Sequence, residues 1–178
     1  MNFSFRTLRI EDYQVYRSLR LDCLKKFPEK FGSSHDEEAE ILLAKFQKFV
    51  LNPTSAFLLG AFDDENLIGI AGFVRAERRK TRHRGEIVQV YVSPDYAGRG
   101  VGASLLQKVI EASFEIEGIE QLELSVVADN QQAVKLYEKF GFKTYGVQTN
   151  YFKDEGIYWN QNFMQLYKIQ YDTEFKKT

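Results

Sequence analysis

Hydrophobic positions along the chain alternate between a two-residue and a three-to-four-residue period, which predicts strands and helices in turn. Residues 3–9 read as a first strand, with Phe3, Phe5 and Leu8 facing inward. Glu11 and Asp12 then open a helix whose Tyr16, Leu19, Cys23 and Phe27 form one apolar stripe. Phe27-Pro28 ends it, and residues 29–34 connect it to a second helix over 36–51. That helix carries Ile41, Leu42, Phe46 and Phe49, and Ser34 with Glu37 has the spacing of a capping box. Strands over 56–62 and 67–75 follow, joined by the polar turn Asp63-Asp64-Glu65-Asn66.

From Ile87 to Val92 the residues are β-branched or aromatic apart from Gln89, and Ser93-Pro94-Asp95 is turn chemistry that ends a strand. Gly98, Gly100 and Gly102 come next, and Val101, Leu105, Leu106, Val109 and Ile110 then recur at helical spacing. A strand over 121–128 leads to Asp129-Asn130, which caps a helix bearing Ala133, Val134, Leu136, Tyr137 and Phe140, with Gly141 at its C-terminal end. Residues 142–147 and 163–169 read as terminal strands. Residues 148–162 between them read as a long mobile turn, and 172–178 as a frayed tail after a single domain over 1–171. The order is β-α-α-β-β-β-α-β-α-β-β, without internal repeats.

The three alternating glycines therefore sit where a strand hands over to a helix. The first turn of a helix leaves backbone N–H groups unpaired under a partial positive charge, and residues without Cβ let a phosphate approach them. The plainer alternative is a loop that turns a tight corner. Gly98-x-Gly100-x-x-Ala103 fits a loose dinucleotide pattern, but five residues, Ser93 to Ala97, separate it from the strand end, and too few βα units follow. No Gly-Lys-Ser/Thr triplet supports a nucleotide-triphosphate loop.

Composition narrows the class. Of 178 residues, 44% are hydrophobic and 15% aromatic, which suits one folded globule. A net charge of −1 gives no general case for nucleic acid. Six basic residues, Arg75, Arg78, Arg79, Lys80, Arg82 and Arg84, crowd one connection. That run is either a solvated hairpin end or an attractor for an acidic acceptor or a nucleic acid. Cys23 is the only cysteine, lies on an apolar stripe and is expected in the core. His35 and His83 stand 48 positions apart, so no metal-ligand spacing emerges. No apolar run approaches membrane-spanning length and the N-terminus lacks a signal-peptide core, which makes a cytoplasmic protein the expectation.

The stretch around Ala97-Gly98-Arg99-Gly100-Val101-Gly102-Ala103 resembles motif A of the GNAT N-acetyltransferases, Gln/Arg-x-x-Gly-x-Gly/Ala, with Ala97 where the family has Gln or Arg. Asn130-x-x-Ala133-x-x-x-Tyr137-Glu138-x-x-Gly141-Phe142 resembles motif B. The resemblance implies an α/β (α+β) GNAT fold: a central mixed, mostly antiparallel seven-stranded sheet flanked by four helices. It also implies acetyl-CoA as co-substrate, with no metal. Residues 97–103 would then hold the pyrophosphate, largely by backbone N–H groups, and Val90, Tyr91 and Val92 would hold the pantetheine arm. Ala133 and Tyr137 belong to the same coenzyme site by resemblance, and Asn130 is a helix cap, a coenzyme contact or both.

The resemblance assigns the polarising donor to the backbone N–H of Val90, at a β-bulge that splays two central strands. Glu86 lies eleven positions before Ala97, the offset of the general base in histone-acetylating members; the alternative is a solvated strand-edge residue. Tyr137 is the candidate general acid for the departing thiolate, or else a packed core residue. The implied acceptor is a primary amine of a small molecule or protein, met by walls from 27–38, 75–84 and 148–162. Exposed terminal strands allow a homodimer. A non-catalytic acyl-CoA-binding or regulatory module on the same fold is the competing function.

Overall fold

The computed structural model describes residues 3–175. Its seven strands form one sheet in the order β1-β2-β3-β4-β5-β7-β6: β1 (Ser4–Thr7), β2 (Ala56–Asp63), β3 (Asn66–Arg75), β4 (Arg84–Val92), β5 (Gln121–Val127), β6 (Lys143–Asp154) and β7 (Ile157–Tyr167). Neighbouring strands are antiparallel except β4 and β5, which run parallel. The helices are α1 (Tyr13–Lys26), α2 (His35–Leu51), α3 (Val101–Phe114), α4 (Gln131–Lys139) and α5 (Lys168–Glu174).

The strand patterns explain the layers. Central strands β2 and β3 are buried on both faces, so their alternating residues feed two cores. Phe57, Leu59, Ala61 and Phe73 pack with Leu105, Leu106, Val109 and Ile110 of α3 and Val134 of α4. Ala56, Leu58, Phe62 and Ile70 pack with Tyr16 and Cys23 of α1 and Leu42, Phe46 and Phe49 of α2. Cys23 is fully buried as expected, and burial pushes its thiol up to about 12, an inert state. The Ser34 hydroxyl caps α2 by accepting from the Glu37 amide.

Five expectations need correction. There are five α-helices among the described residues, not four, because α5 follows β7. Residues 172–174 are therefore helical rather than frayed: Tyr171 is buried, and Phe175 packs so close to Gly141 that a Cβ there would lie 2.5 Å from its ring. Residues 176–178 lie outside the described residues. Residues 148–162 are not a mobile turn but most of a long hairpin, whose only turn is Glu155-Gly156, both at positive φ. The first helix begins at Tyr13 after a 3-10 turn over Ile10–Asp12, and the last strand stops at Tyr167, not 169.

Candidate active site

The sheet opens at its middle. Strand β4 pairs with β5 only from Arg84–Glu86 to Gln121–Glu123, and the ladder goes no further. On its other side β4 is bulged: Gly72 faces Val88 and Ile70 faces Tyr91, so Gln89 and Val90 oppose the single residue Ala71. Gln89 adopts φ +55°, and its amide oxygen accepts a 2.9 Å hydrogen bond from the Tyr16 hydroxyl, which ties the bulge to α1. The extra residue exchanges the faces of the strand. Ile87 packs on the α3 side, whereas Tyr91 packs on the α1–α2 side between Phe27 and Phe31, with ring centroids at 6.2 and 6.4 Å.

A cleft of about 1120 Å³ runs through this opening. Residues of both faces line it: Glu86, Gln89 and Val90 of β4, Ser125 of β5, Asn130, Ala133 and Tyr137 at α4, and Arg20 and Glu38 of α1 and α2. The connections around 31–33 and 75–82 contribute to its walls, as do Tyr151, Phe152 and Gln161 of the β6–β7 hairpin.

Glu86 stands at the last paired position of β4, opposite Glu123. It is reachable from the open cleft, yet protein atoms crowd its carboxyl. Desolvation first, and the Glu123 charge second, raise its pKa above the ordinary glutamate value. Glu123 is itself held by Arg84 and by a 2.8 Å bond from Gln121. Across the opening Tyr137 is buried, its ring edge-on to Phe142 at 6.1 Å, and burial pushes its phenol pKa well up. It stays a neutral O–H donor throughout the neutral range.

The glycine stretch lies where β4 and α4 converge. A Cβ on Gly102 would lie 3.7 Å from Val92 and 4.0 Å from Leu136. Gly98 and Gly100 have φ of +74° and +78°, and a Cβ on either would meet no protein atom within 4 Å. The left-handed backbone thus requires glycine there while the space beside it stays open. The first bond of α3 runs from the Ser104 amide to the Gly100 carbonyl at 3.0 Å, which places the Val101, Gly102 and Ala103 amides in the turn that has no intrahelical partner. The Ala97 amide already donates to the Pro94 carbonyl at 3.0 Å, so it is not among the free donors. The Arg99 guanidinium sits over the Tyr96 ring at 5.1 Å, and the Val101 side chain belongs to the core.

Asn130 does act as a cap, its side chain accepting from the Ala133 amide at 3.3 Å, and it also lines the cleft. Of the basic run, Arg75 donates to the carbonyls of Arg82 and Glu117, and Arg84 pairs with Glu123, while Arg78, Arg79 and Lys80 face water. Among the described residues no three His, Cys, Asp or Glu side chains are placed to share a metal ion, and no helix is long and apolar enough to cross a membrane.

Three cleft residues were not singled out by sequence. Arg20 is 4% exposed although charged; its one signal is that it interrupts the apolar face of α1 between Tyr16 and Cys23. Gln89 was visible as the polar residue within an apolar strand. Gln161, also 4% exposed, leaves its Oε1 without a hydrogen-bond partner, and nothing local in the sequence marks it. Burial alone would raise the Glu38 carboxyl, but the hydrogen bond from Arg20, with further contributions from Ser33 and Lys45, holds it below the ordinary range and ionised.

Comparison with known proteins agrees with this geometry. Residues 15–142 match the model of the acetyltransferase (GNAT) family. An uncharacterised N-acetyltransferase of Mycobacterium tuberculosis is 32% identical over 122 residues, 68% of this chain and 73% of that protein. A GNAT-family acetyltransferase structure from Streptococcus pneumoniae superimposes with a TM-score of 0.79 at 25% identity, over 93% of this chain and 99% of that one. A spermidine N-acetyltransferase from Vibrio cholerae, solved with CoA and spermine, gives a TM-score of 0.73 at 24% identity over 95% and 97% of the two chains. The chain belongs to the GNAT family of acetyltransferases.

Proposed function

We propose that the chain is an acetyl-CoA-dependent N-acetyltransferase, moving the acetyl group directly to a primary amine within a ternary complex. The observation that carries this reading is the cleft through the β4–β5 opening, which has the bulge at Gln89–Val90 and Glu86 on one wall and Tyr137 on the other. The open space beside Gly98 and Gly100, next to the first-turn amides of α3, suits a pyrophosphate. The CoA in the Vibrio cholerae relative is the kind of molecule such a cradle would take.

In this reading the Val101, Gly102 and Ala103 amides, with those of the glycine loop before them, hold the diphosphate, and Val90 to Val92 hold the pantetheine arm as an added strand would. Acetyl-CoA supplies the activated carbonyl. A lysine-type amine has a pKa of about 10.4 and is mostly ammonium at neutral pH. Glu86 takes the proton that this amine must lose, directly or through water. The Val90 N–H faces the negative charge that grows on the thioester oxygen as the amine nitrogen bonds to carbon. Tyr137 gives its hydroxyl proton to the sulfur as the carbon–sulfur bond breaks, and the second proton that the nitrogen sheds on becoming an amide restores the hydroxyl. Asn130 fixes the start of α4, and through it the position of Tyr137 and Ala133.

The alternative is a non-catalytic acyl-CoA-binding module, and the shared placement of Glu86 and Tyr137 on one cleft favours catalysis over it. Thiol release from acetyl-CoA on addition of a broad amine panel tests the choice. Amine-dependent release supports the transferase, and binding without release across the panel supports the module.

A further inference from the structure

The cleft is charged in a way the whole chain is not. Six cations line it, Arg20, Lys30, Lys45, Lys48, Arg75 and Arg82, against three carboxylates, Glu38, Glu77 and Glu86. The chain as a whole carries −1. The imbalance is sharpest between α1 and α2, where the single carboxylate Glu38 serves two cations. It accepts from Arg20 Nε at 2.8 Å and lies 3.3 Å from Lys45 Nζ. Arg20 and Glu38 are 4% and 2% exposed and offset each other, so the excess positive charge rests on Lys45, whose side chain is 39% exposed at the mouth of this corner.

Arg20 also has a donor to spare. Its Nη1 is buried without a hydrogen-bond partner. An unmet N–H on a buried guanidinium is unfavourable by itself, and the planar fork of arginine matches planar oxyanions, a carboxylate among them. The same corner is closed by aromatic rings. Phe31 lies 5.3 Å from the guanidinium carbon, and Phe152 of the hairpin comes close enough to Gly32 that a Cβ there would lie 2.7 Å from its ring. A polycation entering this corner meets cations of its own sign, whereas a carboxylate meets the unsatisfied donor.

We propose that the acceptor is a small amine that also bears a carboxylate, with Arg20 and Lys45 holding the carboxylate and the amine directed to Glu86. This deepens the transferase reading and rests on it. The cation set comes from α1, α2, the connection between them and the 75–82 connection, none of which belongs to the stretches that resemble the family motifs.

The test is thiol release from acetyl-CoA with matched acceptors: amino acids of increasing amine-to-carboxylate separation, the amide of each, and spermidine. At least one amino acid should exceed its own amide in kcat/KM by about tenfold or more. That ratio should fall towards one in Arg20→Lys, which keeps a cation beside Glu38 but loses the fork. It should also fall in Lys45→Gln, where the altered side chain is partly exposed and Arg20 still pairs with Glu38. A purely structural defect lowers acid and amide together and leaves the ratio unchanged, which would overturn the assignment. Amides or spermidine outrunning every amino acid, with turnover intact, overturns this inference and leaves the transferase reading standing. Failure of the protein to bind acetyl-CoA overturns both.

Discussion

Glu86 stands where β4 and β5 part, and the loss of solvent around its carboxyl, with the facing Glu123 charge second, shapes the reactivity expected of it. Its raised pKa means that the folded state holds the proton more tightly than the unfolded chain does. The unfolded state therefore binds fewer protons in that window, and stability falls as pH rises through the folded pKa. Glu86→Gln should accordingly keep or increase Tm at neutral pH while kcat/KM drops on the order of 10²-fold. The acid limb of the wild-type pH profile should lie above the ordinary glutamate range and vanish in this variant. An unchanged limb would give the base role to another group. Tyr137→Phe removes one hydroxyl and keeps the edge-on contact with Phe142. Its kcat should fall on the order of 10²-fold, with the Kd for acetyl-CoA as in the wild type. Equal kcat would leave Tyr137 as a packing residue alone.

At the scale of elements, two glycines with opposite surroundings give opposite expectations. Gly85 lies under the Phe73 ring, where a Cβ would come within 2.0 Å of a ring carbon. Gly85→Ala should destabilise the fold by about 1–3 kcal/mol through overpacking between β4 and β3, read as a Tm lower by several degrees. Gly100 faces open space at φ +78°, so Gly100→Ala meets no clash and only the strain of a left-handed backbone, about 1–2 kcal/mol. Its larger effect should be on acetyl-CoA, with Kd raised tenfold or more by a methyl standing where the diphosphate approaches. Both glycine positions were visible in the chain, but only Gly100 carried a readable reason. The need for glycine at 85 depends on Phe73, twelve residues earlier and on the neighbouring strand. The bulge was hidden for a similar reason: Ile87–Val92 reads as one unbroken strand, and only Gln89 departs from it.

Across the whole molecule, local pattern was enough to place β1 to β5 and α1 to α4: the helices and β5 carry apolar residues at a regular period, and β2 and β3 read as short apolar runs bounded by turn residues. It found the two terminal strands but not their length, because β6 is an edge strand whose residues are nearly all exposed and show no alternation. It failed for α5, seven residues long with a polar C-terminal half, which is held by Tyr171 in the core and by Lys168 on the Phe114 carbonyl rather than by its own pattern. The cleft inherits both gaps: Gln161 comes from the hairpin, and Arg20 finds Glu38 eighteen residues along the chain. Everything proposed for catalysis depends on one ligand entering the gap between β4 and β5 with its diphosphate on the first turn of α3. Calorimetric titration of acetyl-CoA into the purified wild-type chain tests that most directly. The account predicts saturable uptake of one equivalent per chain, and a titration without saturable heat at millimolar acetyl-CoA would contradict it.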